Sequence, residues 1–123
     1  MQDDELTHAV IGAALEVHRA LGPGLLESAY QQCLCRELTL RQVPFTREMS
    51  LPVVYKGSRV DCSYRIDLLI DEQVVVEVKA VETILPIHVA QVLTYLRLGN
   101  WKVGLLINFN VPVLKAGIRR LIL

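Results

Sequence analysis

The first forty residues carry apolar side chains at the spacing of two amphipathic helices. Between about 4 and 21 they recur every three or four positions, which predicts a helix with one buried face. Gly22-Pro23-Gly24 then interrupts the chain, because glycine and proline favour turns. A second apolar stripe predicts a helix from about 25 to 41. This second stripe consists of Leu26, Tyr30, Cys33, Leu34 and Leu38.

After Pro44 the pattern changes to short runs rich in β-branched residues, which are typical of strands. A third helix is predicted from about 87 to 98, since Pro86 suits a first helical turn and Gly99 suits the end of a helix. The predicted strands are 49–55, 59–70, 74–80, 102–109 and 118–122.

This order of elements predicts a mixed α/β sheet with helices packed on it. The first three strands are joined by short turns and should form an antiparallel meander, whereas the helix before the fourth strand should make that strand parallel to a neighbour. A chain of 123 residues with 52% apolar side chains is long enough for one domain, 1–123, with a substantial core. So high an apolar content in so small a protein also leaves a homodimer possible.

Charge and cysteine content narrow the function classes. Thirteen basic residues balance thirteen acidic ones, whereas nucleic-acid binders usually carry a basic excess. No apolar run reaches the roughly 18 residues that a membrane span requires, so we expect no membrane partner. Three cysteines, an odd number, and no secretory signal favour a reducing compartment, and we expect the protein to be cytoplasmic.

Strand register brings two acids and a lysine together. If residues 71–73 form the loop between the second and third strands, Ile70 faces Val74 and Asp67 faces Glu77, about 5 Å apart at Cβ. Lys79 lies two residues after Glu77 and points the same way. The other face is predicted to be apolar, with Ile66, Leu68, Ile70, Val74, Val76 and Val78.

Two carboxylates held so close repel each other unless a hard cation lies between them. Mg²⁺ suits such a pair because it takes one or two carboxylates and completes its shell with water and substrate phosphate. Lys79 beside it can orient an attacking water, so these residues predict metal-assisted phosphodiester hydrolysis. The alternative is a solvated cross-strand charge cluster, and the three residues taken alone favour that alternative.

Two further residues have both a functional and an ordinary interpretation. Glu27 can approach the metal through water, but if Gly24 caps the second helix, Glu27 is at the third helical position, where glutamate stabilises a helix start. Gln91, which shares a helix face with His88 and Tyr95, can bind phosphate or a water at the metal. More often such a glutamine simply lies on the wet side of its helix.

Taken together, these residues resemble the small bacterial GxxExxY proteins of the PD-(D/E)XK nuclease superfamily. The signature residues are Gly24, Glu27 and Tyr30 within the segment 16–30. The similarity covers nearly the whole chain and includes the segments 64–69, 76–80, 91–96 and 104–109.

The resemblance implies the restriction-endonuclease-like αβββαβ core and a role for each matching residue. Asp67 and Glu77 match the metal-binding acids, Lys79 the motif lysine, Glu27 the additional helix acid at the metal, and Gln91 the polar residue of the later helix. The implied function is a nuclease that uses Mg²⁺ or Mn²⁺ to hydrolyse DNA or RNA.

Two other functions remain open on the sequence. One is a non-catalytic binding or regulatory module on the same fold, as a homodimer, which the neutral charge and small size favour. The other is hydrolysis of a different phosphate ester, such as a nucleotide, by the same metal chemistry.

Overall fold

The computed structural model describes residues 1–123 except for the side chain of residue 63. The predicted order of elements is confirmed. The helices are α1 (Asp3–Leu21), α2 (Glu27–Leu40) and α3 (Pro86–Gly99). The strands are β1 (Phe45–Tyr55), β2 (Ser58–Ile70), β3 (Val74–Lys79), β4 (Val103–Asn108) and β5 (Ile118–Ile122), with a 3₁₀ turn at Leu114–Gly117 before β5.

The strands form one five-stranded mixed sheet in the spatial order β1-β2-β3-β4-β5. Neighbouring strands are antiparallel except β3 and β4, which are parallel and are joined by the crossover through α3. A parallel pair needs such a crossover because a tight turn would reverse the chain. The fold is therefore the mixed α/β arrangement that the order of elements predicts.

Both faces of the sheet are covered by helices, so the valines of β3 are buried on both sides of the strand. One core packs α1 and α2 against residues such as Leu68, Val76 and Ile107. A second, smaller core packs α3 against Leu69 and Val75. This corrects the expectation of a single apolar face, because the face that carries Asp67 is itself largely buried beneath α3. In the described chain, none of the helices is long and apolar enough to cross a bilayer.

The sequence pattern predicts Ile66 on the same face as Leu68, and that prediction is wrong. Ile66 is fully buried, but in the core under α3. The β1–β2 ladder runs Arg47–Leu68 and then Met49–Ile66, and Glu48 between them has a φ of 52°. The left-handed backbone at Glu48 interrupts regular alternation beside Asp67, and Ile66 then turns to the α3 side.

Helix α2 starts two residues later than predicted. Gly24 has a φ of 100°, and Leu26, the N-cap residue, is extended with a ψ of 148°. The Tyr30 hydroxyl accepts a hydrogen bond from the Leu25 amide at 3.1 Å and donates one to the Gly22 carbonyl at 2.6 Å. These bonds hold the loop outside the helix, so Glu27 is the first helical residue rather than the third.

Candidate active site

The candidate site lies where β2 and β3 separate. The predicted register is confirmed over the pairs Ile70–Val74, Leu69–Val75 and Leu68–Val76. At the next position Asp67 lies opposite Glu77. Here hydrogen bonds from backbone amides to carboxylate oxygens take the place of the backbone–backbone bonds of the ladder. The Asp67 amide donates to Glu77 Oε1 at 3.0 Å, and the Val78 amide donates to Asp67 Oδ2 at 2.8 Å. The two acids thus bind each other's strand.

The burial of these acids excludes the solvated charge cluster. Glu77 is only 3% exposed, and Asp67 is half-buried. Burial strips water from each carboxylate and, with the repulsion between the two, raises the pKa of Glu77 to about 8. Burial also raises the pKa of Asp67, opposed by the Val78 amide and reinforced by repulsion from Glu27. Such a pair favours a shared proton or a cation.

Lys79 supplies a positive charge to this pair. Its ammonium lowers the pKa of both Asp67 and Glu77 and so partly opposes the effect of burial. Among the side chains that the structure describes, Lys79 forms no ion pair within 4.0 Å. The half-buried Lys79 side chain is therefore close enough to both carboxylates to lower their pKa values.

Glu27 is brought near the acids from the layer of α2. Its side chain is exposed, and its charge raises the pKa of both Asp67 and Glu77. The Tyr30 ring, fully buried, stacks on Phe109 with centroids 4.7 Å apart. Because the Tyr30 hydroxyl also fixes the preceding loop, this tyrosine sets where α2 begins and hence where Glu27 lies. The metal-binding role of Glu27 stays a prediction.

Helix α3 places Gln91 and Tyr95 beside the acids. Gln91 Nε2 donates to the Tyr95 hydroxyl at 2.8 Å. Burial and then the charge of Glu77 raise the pKa of Tyr95, which puts this pair next to the carboxylates. His88 is used differently, since its Nδ1 accepts a hydrogen bond from the Leu85 amide at 3.0 Å and caps the helix.

Glu48 also borders the site, and no local pattern in the sequence identifies it. Its charge raises the pKa of Asp67, and its exposed side chain lies 4.0 Å from Arg65. A two-residue turn after Tyr55 sets the register at Tyr55–Ser58, which would place Glu48 opposite Arg65. An irregularity between Leu51 and Val53 shifts that register by two residues and moves Glu48 toward Asp67.

The donor set fits a hard divalent cation bound through few protein ligands. Asp67 and Glu77 each use one oxygen for a backbone amide, which leaves the second oxygen of each for a cation. Within the described side chains, no group of three His, Cys, Asp or Glu residues converges on a point that could hold a metal ion. Two carboxylates with water and substrate phosphate are the usual ligands of Mg²⁺.

Comparison with known protein families gives a match over most of the chain. The profile of the PD-(D/E)XK nuclease superfamily matches residues 4–121, nearly the whole chain. No curated protein and no solved structure matches. The finer resemblance to the GxxExxY proteins stays a prediction.

Proposed function

Because the chain belongs to the PD-(D/E)XK nuclease superfamily, we propose that it is a Mg²⁺-dependent nuclease that hydrolyses phosphodiester bonds in nucleic acid. The observation that carries the proposal is the buried pair Asp67 and Glu77, with Lys79 beside it. Burying two carboxylates that repel each other costs stability, so their position under α3 supports a role in chemistry.

Each residue of the site has a distinct part in this proposal. Asp67 and Glu77 would hold Mg²⁺, and the exposed Glu27 would add negative charge near them. The bound metal would polarise the phosphate and lower the pKa of the attacking water. Lys79 orients that water and offsets charge developing on the phosphate. Gln91, held by Tyr95, donates or accepts a hydrogen bond at the substrate.

Hydrolysis of labelled single-stranded and duplex DNA and RNA, with Mg²⁺ or Mn²⁺, tests this function. We expect the wild type to hydrolyse the substrate. Activity should fall by about 100-fold or more in Asp67→Ala, which removes a metal ligand, and in Lys79→Ala, which removes the ammonium group. Glu82→Ala, an exposed acid shortly after β3, is the matched control and should keep full activity. Activity that survives both site substitutions would rule out this mechanism.

A non-catalytic binding module on the same fold is the second candidate. The observation that favours it is the formal net charge of zero, since thirteen acidic residues offset thirteen basic ones. Calorimetric titration with Mg²⁺ and Mn²⁺ separates the two. Metal binding that is lost in Asp67→Ala supports the nuclease, whereas no binding at millimolar metal supports the module.

A further inference from the structure

A shallow pocket lies between β2 and one face of α3. Its volume is about 320 Å³, at the lower end of the range for small-ligand sites. Tyr64 forms one side, and positions of α3 that share a helix face form the other. The lining residues are Tyr64, Ile87, Ala90, Gln91, Thr94 and Tyr95.

The pocket presents an aromatic ring to solvent. Tyr64 is 44% exposed and meets the buried Tyr95 ring edge to face, with centroids 6.4 Å apart and an interplanar angle of 63°. Ile87 on the opposite side is 68% exposed. Tyr95 thus braces Tyr64 from the edge, and the exposed tyrosine and isoleucine leave room for a flat apolar group between them.

Gln91 and Thr94 bring hydrogen-bonding groups to the lining of the same pocket. Gln91 Nε2 donates one of its two protons to the Tyr95 hydroxyl, which leaves the second proton and the side-chain amide oxygen for a ligand. The Thr94 hydroxyl accepts a hydrogen bond from Arg97 at 3.1 Å, which leaves its proton to donate. An acceptor and donors beside an aromatic ring match the edge of a nucleobase.

The position of the pocket links it to the carboxylates. Tyr64 precedes Asp67 by three residues on β2, which separates their Cα atoms by about 10 Å. Tyr95, which lies within the pocket, is close enough to Glu77 for that charge to raise the pKa of the phenol. A nucleotide neighbouring the cleaved phosphate can therefore reach the ring of Tyr64.

We propose that this pocket holds one unpaired nucleobase stacked on Tyr64, which makes single-stranded nucleic acid the substrate class. The inference rests on the proposed nuclease function. A base in a duplex is covered by its neighbours on both faces and can stack on a protein ring only when it leaves the helix. Stacking also needs little positive charge, in keeping with the neutral chain.

Binding of fluorescently labelled oligonucleotides, measured by anisotropy in EDTA, tests the proposal without hydrolysis. We expect the protein of residues 1–123 to bind an oligothymidine strand of about 12 nucleotides more tightly than a duplex of equal length. Tyr64→Ala should weaken binding of the strand by about 5-fold to 150-fold, the range for loss of one base–aromatic stack, whereas Tyr64→Phe should keep it. Equal affinity of Tyr64→Ala and wild type, or preference for the duplex, overturns the proposal.

Two further variants control for folding and for position. Ala90→Leu, at an exposed helical position, fills the pocket without adding charge. It should weaken binding of the oligonucleotide strand as much as Tyr64→Ala does. Tyr55→Ala, on the same hairpin and 62% exposed, lies outside the pocket and should leave affinity unchanged. An equal loss in Tyr55→Ala, or full affinity in Ala90→Leu, contradicts the assignment.

The two proposals fail in different ways. If strand binding depends on Tyr64 but no metal-dependent hydrolysis occurs, the proposed nuclease function is wrong and the proposed base pocket is supported. The opposite outcome is hydrolysis that depends on Lys79, cleaves duplex as readily as single strand and is unchanged in Tyr64→Ala. That outcome would support the nuclease function and contradict the base pocket.

Discussion

Asp67 and Glu77 have a structural role in addition to the chemical role proposed for them. Each carboxylate accepts a backbone amide of the opposite strand, where the β2–β3 ladder would otherwise continue. The same contacts hold both acids in a buried place where the charged forms are disfavoured. Replacing either acid therefore changes stability and chemistry together, and the direction of the stability change depends on pH.

The raised pKa of Glu77 predicts that the metal-free protein loses stability as pH rises. Between the unfolded value near 4.5 and the folded value of about 8, the folded state holds a proton that the unfolded chain has released. The stabilisation is thus complete below pH 4.5 and is lost toward pH 8. Melting temperatures in EDTA from pH 5 to 9 should fall, and Mg²⁺ should offset the fall at high pH.

The substitution Glu77→Gln should flatten this pH dependence. The glutamine oxygen can still accept the Asp67 amide, but the repulsion and the titration of residue 77 are gone. The melting temperature at pH 8 in EDTA should therefore exceed that of the wild type, with hydrolysis abolished. Glu82→Gln, at an exposed position, should retain the wild-type slope. Parallel pH profiles for wild type and Glu77→Gln would show that a group other than Glu77 causes the pH dependence.

Tyr30→Phe should destabilise the protein by about 1–2 kcal/mol, because it leaves the Gly22 carbonyl and the Leu25 amide without their partner. The stack on Phe109 remains, so the loss is confined to the hydroxyl. Urea unfolding measures the change, and Tyr55→Phe, at an exposed ring, should be neutral. An unchanged free energy of unfolding in Tyr30→Phe would mean that the loop does not depend on this hydroxyl.

Among the elements, α3 lies unusually close to the sheet at Gly104. A Cβ at this residue would meet Val92 Cγ1 at 2.8 Å and Leu96 Cδ2 at 3.5 Å. Glycine on β4 therefore lets the helix approach the strand, and this approach brings Gln91, next to Val92, toward the carboxylates.

Gly104→Ala should push α3 outward and cost about 1–3 kcal/mol, the range for overpacking a core. Because Gln91 and Tyr95 move with the helix, hydrolysis should fall as well. Gly12→Ala is the matched control, since its Cβ would meet only the flexible end of Arg41 at 3.1 Å, and alanine in a helix is favourable by about 0.5–1 kcal/mol. Equal stability of the two variants, measured by urea unfolding, would contradict the close approach.

The order of elements and the register of the β2–β3 hairpin were predictable because both depend on local signals. Apolar periodicity marks the helices and strands, and the three-residue connection fixes which residues of β2 and β3 oppose each other. The approach of Glu48 and the turning of Ile66 were not predictable. Both depend on irregularities in the pairing of β1 with β2, where Glu48 has a positive φ and the register shifts between Leu51 and Val53.

The burial of the site could not be predicted from the sequence pattern either. Asp67, Glu77 and Lys79 opposite an apolar face indicate an ordinary wet surface, since a single strand does not reveal that a helix from elsewhere will cover it. Only the packing of α3 on Leu69 and Val75 makes Glu77 a buried acid. Whether these residues form a solvated charge cluster or a buried pair thus depends on tertiary contacts, which the pattern of one hairpin does not contain.

For the whole molecule, balanced charge predicts weak salt dependence of nucleic-acid binding. Each phosphate neutralised on a single strand contributes about 0.7 to the slope of log K against log salt. With thirteen acids opposing thirteen bases, we expect a slope magnitude of about 2 to 3, from three or four phosphates. Anisotropy titrations between about 50 and 300 mM KCl measure it, and a much steeper slope would show that phosphate contacts dominate over stacking.

The short hairpin that joins the two acids also determines which strands pair first during folding. Asp67 and Glu77 are ten residues apart, whereas β3 and β4 meet only after the crossover of residues 80–102. Hairpins close within microseconds, and parallel pairing across a long connection is slower. We expect the acids to meet while water still screens them and to lose that water when α3 closes over the sheet. Pulsed hydrogen exchange should then protect the β2–β3 amides before those of β4.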